Sequence, residues 1–289
     1  MRQNIKTDRQ IPVRSIPRLS GMGKYLAFFR LHFTMGLQYR TAAFAGIATQ
    51  FVWGAMEILM FRAFYQTPDN GSFPMTFEAT CAYVWMQQAF LALFMAWMMD
   101  NDIFTCIMDG NVSYELCRPI DLYHMWFSRS LASRCSKAVL RCMPILLVAA
   151  FLPKPYGLMA PVDAAAFLLF LLTLATGLAV TVAFCMLIYI SAFFTLSPDG
   201  IRMVAMSVVE FFSGAVIPLP FFPDRIRGLM ELLPFASMQN VPLRIYSGDL
   251  SGGAMVRAIL VQFLWLFLLV AAGKILNTLA MRKITLQGG

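Results

Sequence analysis

The sequence predicts an all-α, polytopic membrane protein with six transmembrane helices, an amino-terminal interfacial helix, and re-entrant helices between spans five and six. Three observations carry this expectation. Six apolar stretches lie at 42–65, 79–99, 138–152, 164–194, 201–217 and 256–281, and most approach the roughly 20 helical residues that a hydrocarbon core of about 30 Å requires. Hydrophobic residues make up 59% of the 289-residue chain and charged residues 13%, where a soluble domain carries about one quarter charged; mean hydropathy is +0.67. None of the stretches alternates in the manner of a barrel strand, and lipid leaves backbone groups no partner outside a helix.

The net charge of +8 comes from 23 basic and 15 acidic residues, and its placement points away from nucleic acid. Arg2, Lys6, Arg9, Arg14, Arg18, Lys24, Arg30 and Arg40 precede the first span against Asp8 alone. Such a cluster holds its end in the cytoplasm. Six crossings return Arg282 and Lys283 to the same side, so both termini are expected in the cytoplasm, and the loop 66–77 carries Asp69 with no Lys or Arg. Arg225, Arg227, Arg244 and Arg257 run against this rule, because the same topology puts them outside. Residues 1–24 lack an apolar core followed by a small-residue cleavage site, unlike a signal peptide. Cys81, Cys106, Cys117, Cys135, Cys142 and Cys185 form no C-x-x-C, and His32 and His124 are the only histidines. A metal centre is therefore not expected, and the thiols read as small packing residues.

In chain order, residues 1–23 read as a flexible basic tail punctuated by Pro12, Pro17, Gly21 and Gly23, ahead of one membrane domain at 24–289. Over 24–40, Lys24, Arg30, Thr34 and Gln38 share one arc while Tyr25, Phe28, Phe29, Phe33, Met35 and Tyr39 fill the rest. That pattern suits a helix lying among headgroups, or an extension of the first span. The segment 100–137 is the one sizeable inside connection. Asp100 or Asn101 caps a short helix there, Gly110 ends it, and Pro119 stops any continuation. Its Ile103, Phe104, Ile107 and Met108 need lipid or a partner protein to cover them. In the third stretch, kinked at Pro144, Arg134, Lys137 and Arg141 share a face and are expected to snorkel to inner-leaflet phosphates. TLSPDGIR makes Ser197 a cap with Pro198 at the first helical position, turning spans four and five into a tight hairpin. Over 218–250, Pro218, Pro220, Pro223, Pro234 and Pro242 cut the chain into apolar pieces too brief to cross, which fits helices that dip into the outer leaflet and return.

DGNVSYELCRPI, with Gly110, Leu116 and Pro119, and SGAVIPLPFFP through LLPF to YSG, with Gly214, Pro218, Pro223, Leu233, Pro234 and Gly248, carry a family resemblance. From about Lys24 onward the chain resembles the permease subunit of ABC type-two exporters, and is most similar to a bacterial branch labelled multidrug or viologen export permeases. The resemblance implies a non-catalytic subunit of the bacterial inner membrane that works with a second permease subunit, identical or different, and a dimer of separate ATPase subunits. It implies no cofactor on this chain, with ATP and Mg held by the ATPase. The absence of G-x-x-x-x-G-K-[ST] agrees, since SGMGKY at 20–25 has Arg18 where the first glycine belongs. By similarity the helix after Asp100 is the coupling helix, with Ile103, Phe104, Ile107 and Met108 as its knobs into the ATPase and Gly110 closing it, and Pro218, Pro223 and Pro234 mark the re-entrant outer segment.

Polar groups at membrane depth are the substrate-path candidates, because a charge there is costly and lines a cavity or meets a partner. Gln50 and Glu57 share a face of span one with Trp53 between them, and Glu210 lies in span five beside Phe212. A path lined by Glu57, Glu210, Trp53 and Phe212 favours an amphiphilic cation. The competing reading pairs Glu57 with Arg62 and sets Glu210 against a second subunit. A glycolipid or surface polymer is the alternative cargo. An ion-coupled secondary carrier using Glu57 or Glu210 is the alternative class, and a membrane enzyme finds no nucleophile with an adjacent base in the spans.

Overall fold

A computed structural model describes residues 21–38, 40–67, 73–195 and 197–283. The basic tail up to residue 20, Asp69 and Leu196 lie outside the described residues. Among those described, the chain forms eleven α-helices and no strand. They are α1 (Gly21–Gly36), α2 (Arg40–Tyr65), α3 (Phe77–Phe94), α4 (Asn101–Met108), α5 (Val112–Leu116), α6 (Leu122–Phe151), α7 (Ala164–Ser191), α8 (Asp199–Phe212), α9 (Asp224–Leu232), α10 (Asn240–Tyr246) and α11 (Gly252–Lys283).

Helix starts follow local chemistry. The hydroxyl of Thr76 accepts from Ala79 N at 3.2 Å to cap α3. Asp121 caps α6 through His124 N at 2.9 Å, and Asp163 caps α7 through Ala166 N at 2.5 Å. Each satisfies a first-turn donor that the helix itself leaves unpaired. At the hairpin before α8 the roles shift by one residue: Pro198 takes the cap position and Asp199 opens the helix.

Among the described residues, four helical segments are long and apolar enough to cross a membrane, spanning Ala43–Tyr65, Phe77–Met108, Ala164–Phe194 and Gly252–Arg282. The two weaker stretches differ for identifiable reasons. The third, read as 138–152, is the far part of the 30-residue α6, whose part before residue 138 carries Arg129, Arg134 and Lys137. The fifth, read as 201–217, yields the 14-residue α8, about 21 Å long at 1.5 Å per residue.

Packing defines two ends. At the α4 end, the Trp126 ring of α6 stacks on Phe193 after α7 at 6.1 Å, and a core of Phe94, Ile103, Met125, Trp126, Met186 and Tyr189 fills the space between. At the α10 end, Trp85 of α3 donates to the Tyr156 carbonyl at 2.8 Å, and Tyr246 of α10 donates to that of Met159 at 2.9 Å. Lys154, just past α6, pairs with Glu78 at the start of α3 at 3.2 Å, so α6 runs the length of α3 in the opposite direction.

Two expectations are corrected. The stretch 79–99 is not one helix: Met95 adopts an extended conformation (φ −70°, ψ 125°), and a 3-10 turn, Ala96–Met98, leads towards α4. Arg134 does not snorkel. It is 2% exposed, and its guanidinium donates from Nη1 to the carbonyls of Leu93 at 3.2 Å and Met95 at 2.9 Å, with Nη2 on Cys185 Sγ at 3.3 Å. The break leaves carbonyls without helical donors, and a buried cation supplies them. Arg141 also turns inward, against Gly46 of α2, where any side chain in place of the glycine would meet its guanidinium.

Candidate functional site

The amino-terminal helix packs along the start of α6 rather than standing alone. Ser128 donates to the Tyr25 carbonyl at 3.1 Å, Lys24 Nζ reaches the carbonyl of Pro119 at 3.3 Å, and the Tyr25 and His124 rings lie 5.5 Å apart. The described helix already includes Gly21, three residues before the expected Lys24. His32 sits half-buried against Phe28 at 4.5 Å. Burial first, and then the charge of Arg129, lower its pKa below the ordinary 6.5.

Helix α4 is built as expected at both ends. Asp100 Oδ1 accepts from Asp102 N at 3.0 Å as the cap, and Gly110 takes φ +74° beyond the last turn. Its faces are the reverse of the expected arrangement. Ile103, Phe104 and Ile107 are buried in the chain's own core, with the Phe104 ring 5.0 Å from Tyr189 and Arg202 lying over it at 5.5 Å. The core of α6 and α7 covers these three side chains. Only Met108 of the four faces outward, and the exposed apolar side chains beside it are Tyr114 and Leu116 of α5.

Polar bonds fasten the start of α4 to three other helices. Arg129 of α6 bridges Asp100 at 2.7 Å and Asp102 at 2.8 Å. Tyr189 of α7 accepts from Asp100 N at 2.6 Å. Arg202 of α8 donates to Asn101 Oδ1 at 2.8 Å. Helix α5 is held in turn by Trp126, whose indole donates to Glu115 at 2.5 Å. Arg129, Tyr189 and Arg202 escaped the reading by sequence, since partners 27 to 101 residues apart leave no spacing signal.

The path candidates separate. Gln50 is buried with both amide atoms unpartnered among the described residues, and Glu57 accepts from Gln88 Nε2 of α3 at 3.4 Å with its other oxygen unpartnered. Arg62 does not pair with Glu57 but lies over the Tyr156 ring at 5.5 Å. Trp53 is exposed on the outer face of α2. Glu210 is exposed on α8, and no hydrogen bond or ion pair among the described residues joins it to Glu57. Phe212 is half-buried, 6.0 Å from Phe235. Gln87 and Gln88 form the polar seam that the sequence reading passed over. Gln87 donates to the Ala215 carbonyl at 2.7 Å, and two adjacent glutamines in an apolar run were the available signal.

Beyond α8 the chain turns through Gly214 (φ +81°), whose carbonyl accepts from Tyr83 at 3.4 Å, and Pro218 opens a 3-10 turn over Leu219–Phe221. Pro223 caps α9, and Pro234 is buried in the turn towards α10. Two of the four arginines that ran against the charge rule are neutralised here. Arg244 pairs with Glu231 and Asp249, both at 2.5 Å, and Arg227 with Asp224 at 2.6 Å. Gln262 of α11 fixes the segment to α7, donating to the carbonyls of Ser237 at 2.8 Å and Thr173 at 2.9 Å.

Among its described residues the arrangement offers no catalytic constellation. Among the described residues no group of His, Cys, Asp and Glu could hold a metal ion, and the cysteines are free thiols. What it offers is a helical body with a short-helix platform tied by polar bonds to α6, α7 and α8. A comparison with curated proteins finds no match. The model of a family described as ABC-2 family transporter protein matches residues 44–288, and the chain belongs to that family of membrane transport subunits.

Proposed function

We propose that the chain is the permease of an ATP-driven exporter of amphiphilic or cationic small molecules, crossing the bacterial inner membrane six times with both termini in the cytoplasm. The chain works as one of a pair and takes its energy from a separate ATPase dimer that holds ATP and Mg. The observation that carries this reading is the fastening of α4 to α6, α7 and α8 through Arg129, Tyr189 and Arg202. A push on the α4–α5 platform then moves three helices as a unit. The docking surface is Met108, Tyr114 and Leu116, while Ile103, Phe104 and Ile107 transmit the push by packing.

Helix α6 makes the third crossing because it lies along α3, and α8 with the turn after it makes the fifth. The pair forms through α2 and α8, whose Phe44, Val52, Met56, Met203, Val204 and Phe211 are exposed apolar side chains. Glu57, with an unpartnered buried oxygen, and Glu210 on the open face of α8 supply negative charge for a cation.

The test is reconstitution of the chain with its ATPase in vesicles loaded with a fluorescent lipophilic cation. ATP-dependent transport is expected, with Tyr114→Asp abolishing it and the isolated chain inactive. Transport by the chain alone under a pH gradient would overturn the reading in favour of a secondary carrier.

A further inference from the structure

A cavity of about 380 Å³ opens between α9, α10 and α11, within the size range of small-molecule sites. Its lining includes Glu231, Asn240, Arg244, Asp249 and Arg257. Arg244 engages one oxygen of each carboxylate, so the three groups together keep one negative charge, and the second oxygens of Glu231 and Asp249 take no hydrogen bond from the described residues. Asn240 is 1% exposed and its Oδ1 is unpartnered, a costly state for a buried acceptor. Arg257, one positive charge, forms no ion pair among the described residues and stands exposed. The cavity thus holds a carboxylate pair with spare acceptors and, at Arg257, a cation with spare donors, while Arg227, the other charged lining residue, is paired with Asp224. Leu232 of the lining, and Leu229, Val256 and Leu260 of the same two helices, α9 and α11, are exposed apolar side chains.

We propose that this cavity binds the headgroup of an aminophospholipid such as phosphatidylethanolamine. The Arg257 guanidinium takes the phosphate, and the primary ammonium, with three protons to donate, meets the second oxygens of Glu231 and Asp249. The acyl chains lie along the apolar faces of α9 and α11. A purely anionic headgroup leaves the carboxylates facing a like charge, and a trimethylated choline has no proton to donate to them. The site is separate from the α2–α3 seam of Gln50 and Glu57, and does not depend on what the exporter carries.

The test uses the full chain, purified in detergent and stripped of lipid, titrated with short-chain phosphatidylethanolamine, phosphatidylglycerol, phosphatidylcholine and soluble phosphoethanolamine, with binding read by native mass spectrometry. Phosphatidylethanolamine is expected to bind about tenfold tighter than the other two lipids, the effect of one charge-assisted hydrogen bond. Arg257→Gln, at an exposed side chain, is expected to remove about that much affinity without lowering the lipid-free unfolding temperature. Gly228→Leu, in the lining where an added Cβ meets no atom within 4 Å, is expected to block binding by filling the cavity. Equal or tighter binding of phosphatidylglycerol or phosphatidylcholine, or an unaltered affinity in both variants, overturns the proposal. Phosphoethanolamine binding as tightly as the lipid would overturn the acyl-chain half and leave a site for a free solute.

Discussion

Arg134 of α6 donates to the carbonyl of Met95 at 2.9 Å, at the residue where the helix containing Phe94 breaks and turns towards α4. A guanidinium with almost no solvent exposure thereby completes the end of another helix. The first 18 residues of the 77–108 segment can stay in register with α6 while α4 takes its own direction. The bonds from Arg134 are the fixed point about which α4 is set.

Replacing this side chain tests that role directly. Arg134→Leu leaves the carbonyls of Leu93 and Met95 buried without donors, and the expected loss is about 3 kcal/mol, from hydrogen bonds to a charged group and the desolvation of their partners. Thermal unfolding in detergent measures it. An Arg134→Lys protein should recover only part of the loss, because a single ammonium cannot reproduce the spread of a guanidinium over two carbonyls and Cys185.

Two substitutions on one short helix should behave differently. Phe104→Ala empties a packed site against Tyr189 and costs about 3 to 5 kcal/mol of stability. Met108→Asp, at an exposed position, should leave the unfolding temperature within a degree or two and instead weaken ATPase association. Co-purification and thermal scans of both variants separate folding from docking.

The bond between Arg202 and Asn101 is the one hydrogen bond fastening α8 to the cap region of α4 among the described residues. Under the proposed coupling, Arg202→Gln should leave the chain folded and bound to an ATPase subunit, and lower the ratio of solute transported to ATP hydrolysed about tenfold. Parallel measurement of phosphate release and vesicle uptake checks this. An unchanged ratio would remove Arg202 from the transmission route.

His32 gives a pH dependence with a definite sign. Its folded pKa lies below the ordinary 6.5, so the unfolded chain binds the proton first as pH falls. Stability from this residue is complete above about pH 6.5 and declines between 6.5 and the lower folded value. The unfolding temperature of the unsubstituted protein, compared with His32→Gln from pH 7.5 to 5.5, should show a steeper decline for the unsubstituted chain. Equal slopes would sink the assignment.

Gly177 marks a close approach: a Cβ there would collide with the backbone carbonyl of Met238. Gly177→Ala should displace the turn before α10 and weaken the pair of bonds from Gln262, lowering the unfolding temperature by several degrees. Because the obstacle is backbone, no rotamer change relieves it.

Much of this molecule is written in local chemistry. The long apolar runs, the caps at Thr76, Asp100, Asp121 and Asp163, the stop at Gly110 and the proline-broken segment after α8 follow from hydropathy and from groups within a few residues of each other. Those features determine an all-helical membrane chain, because lipid offers the backbone no other solution. Tertiary structure alone decided where the polar side chains point. Arg134 and Arg141 turned inward rather than to phosphates, and Ile103, Phe104 and Ile107 turned to the core rather than to a partner. Glu57 met Gln88 rather than Arg62. A buried cation or carboxylate is stable only where distant segments bring it a partner, and an amphipathic helix covers its apolar face with whichever neighbour the fold supplies. Neither choice leaves a periodicity in the sequence.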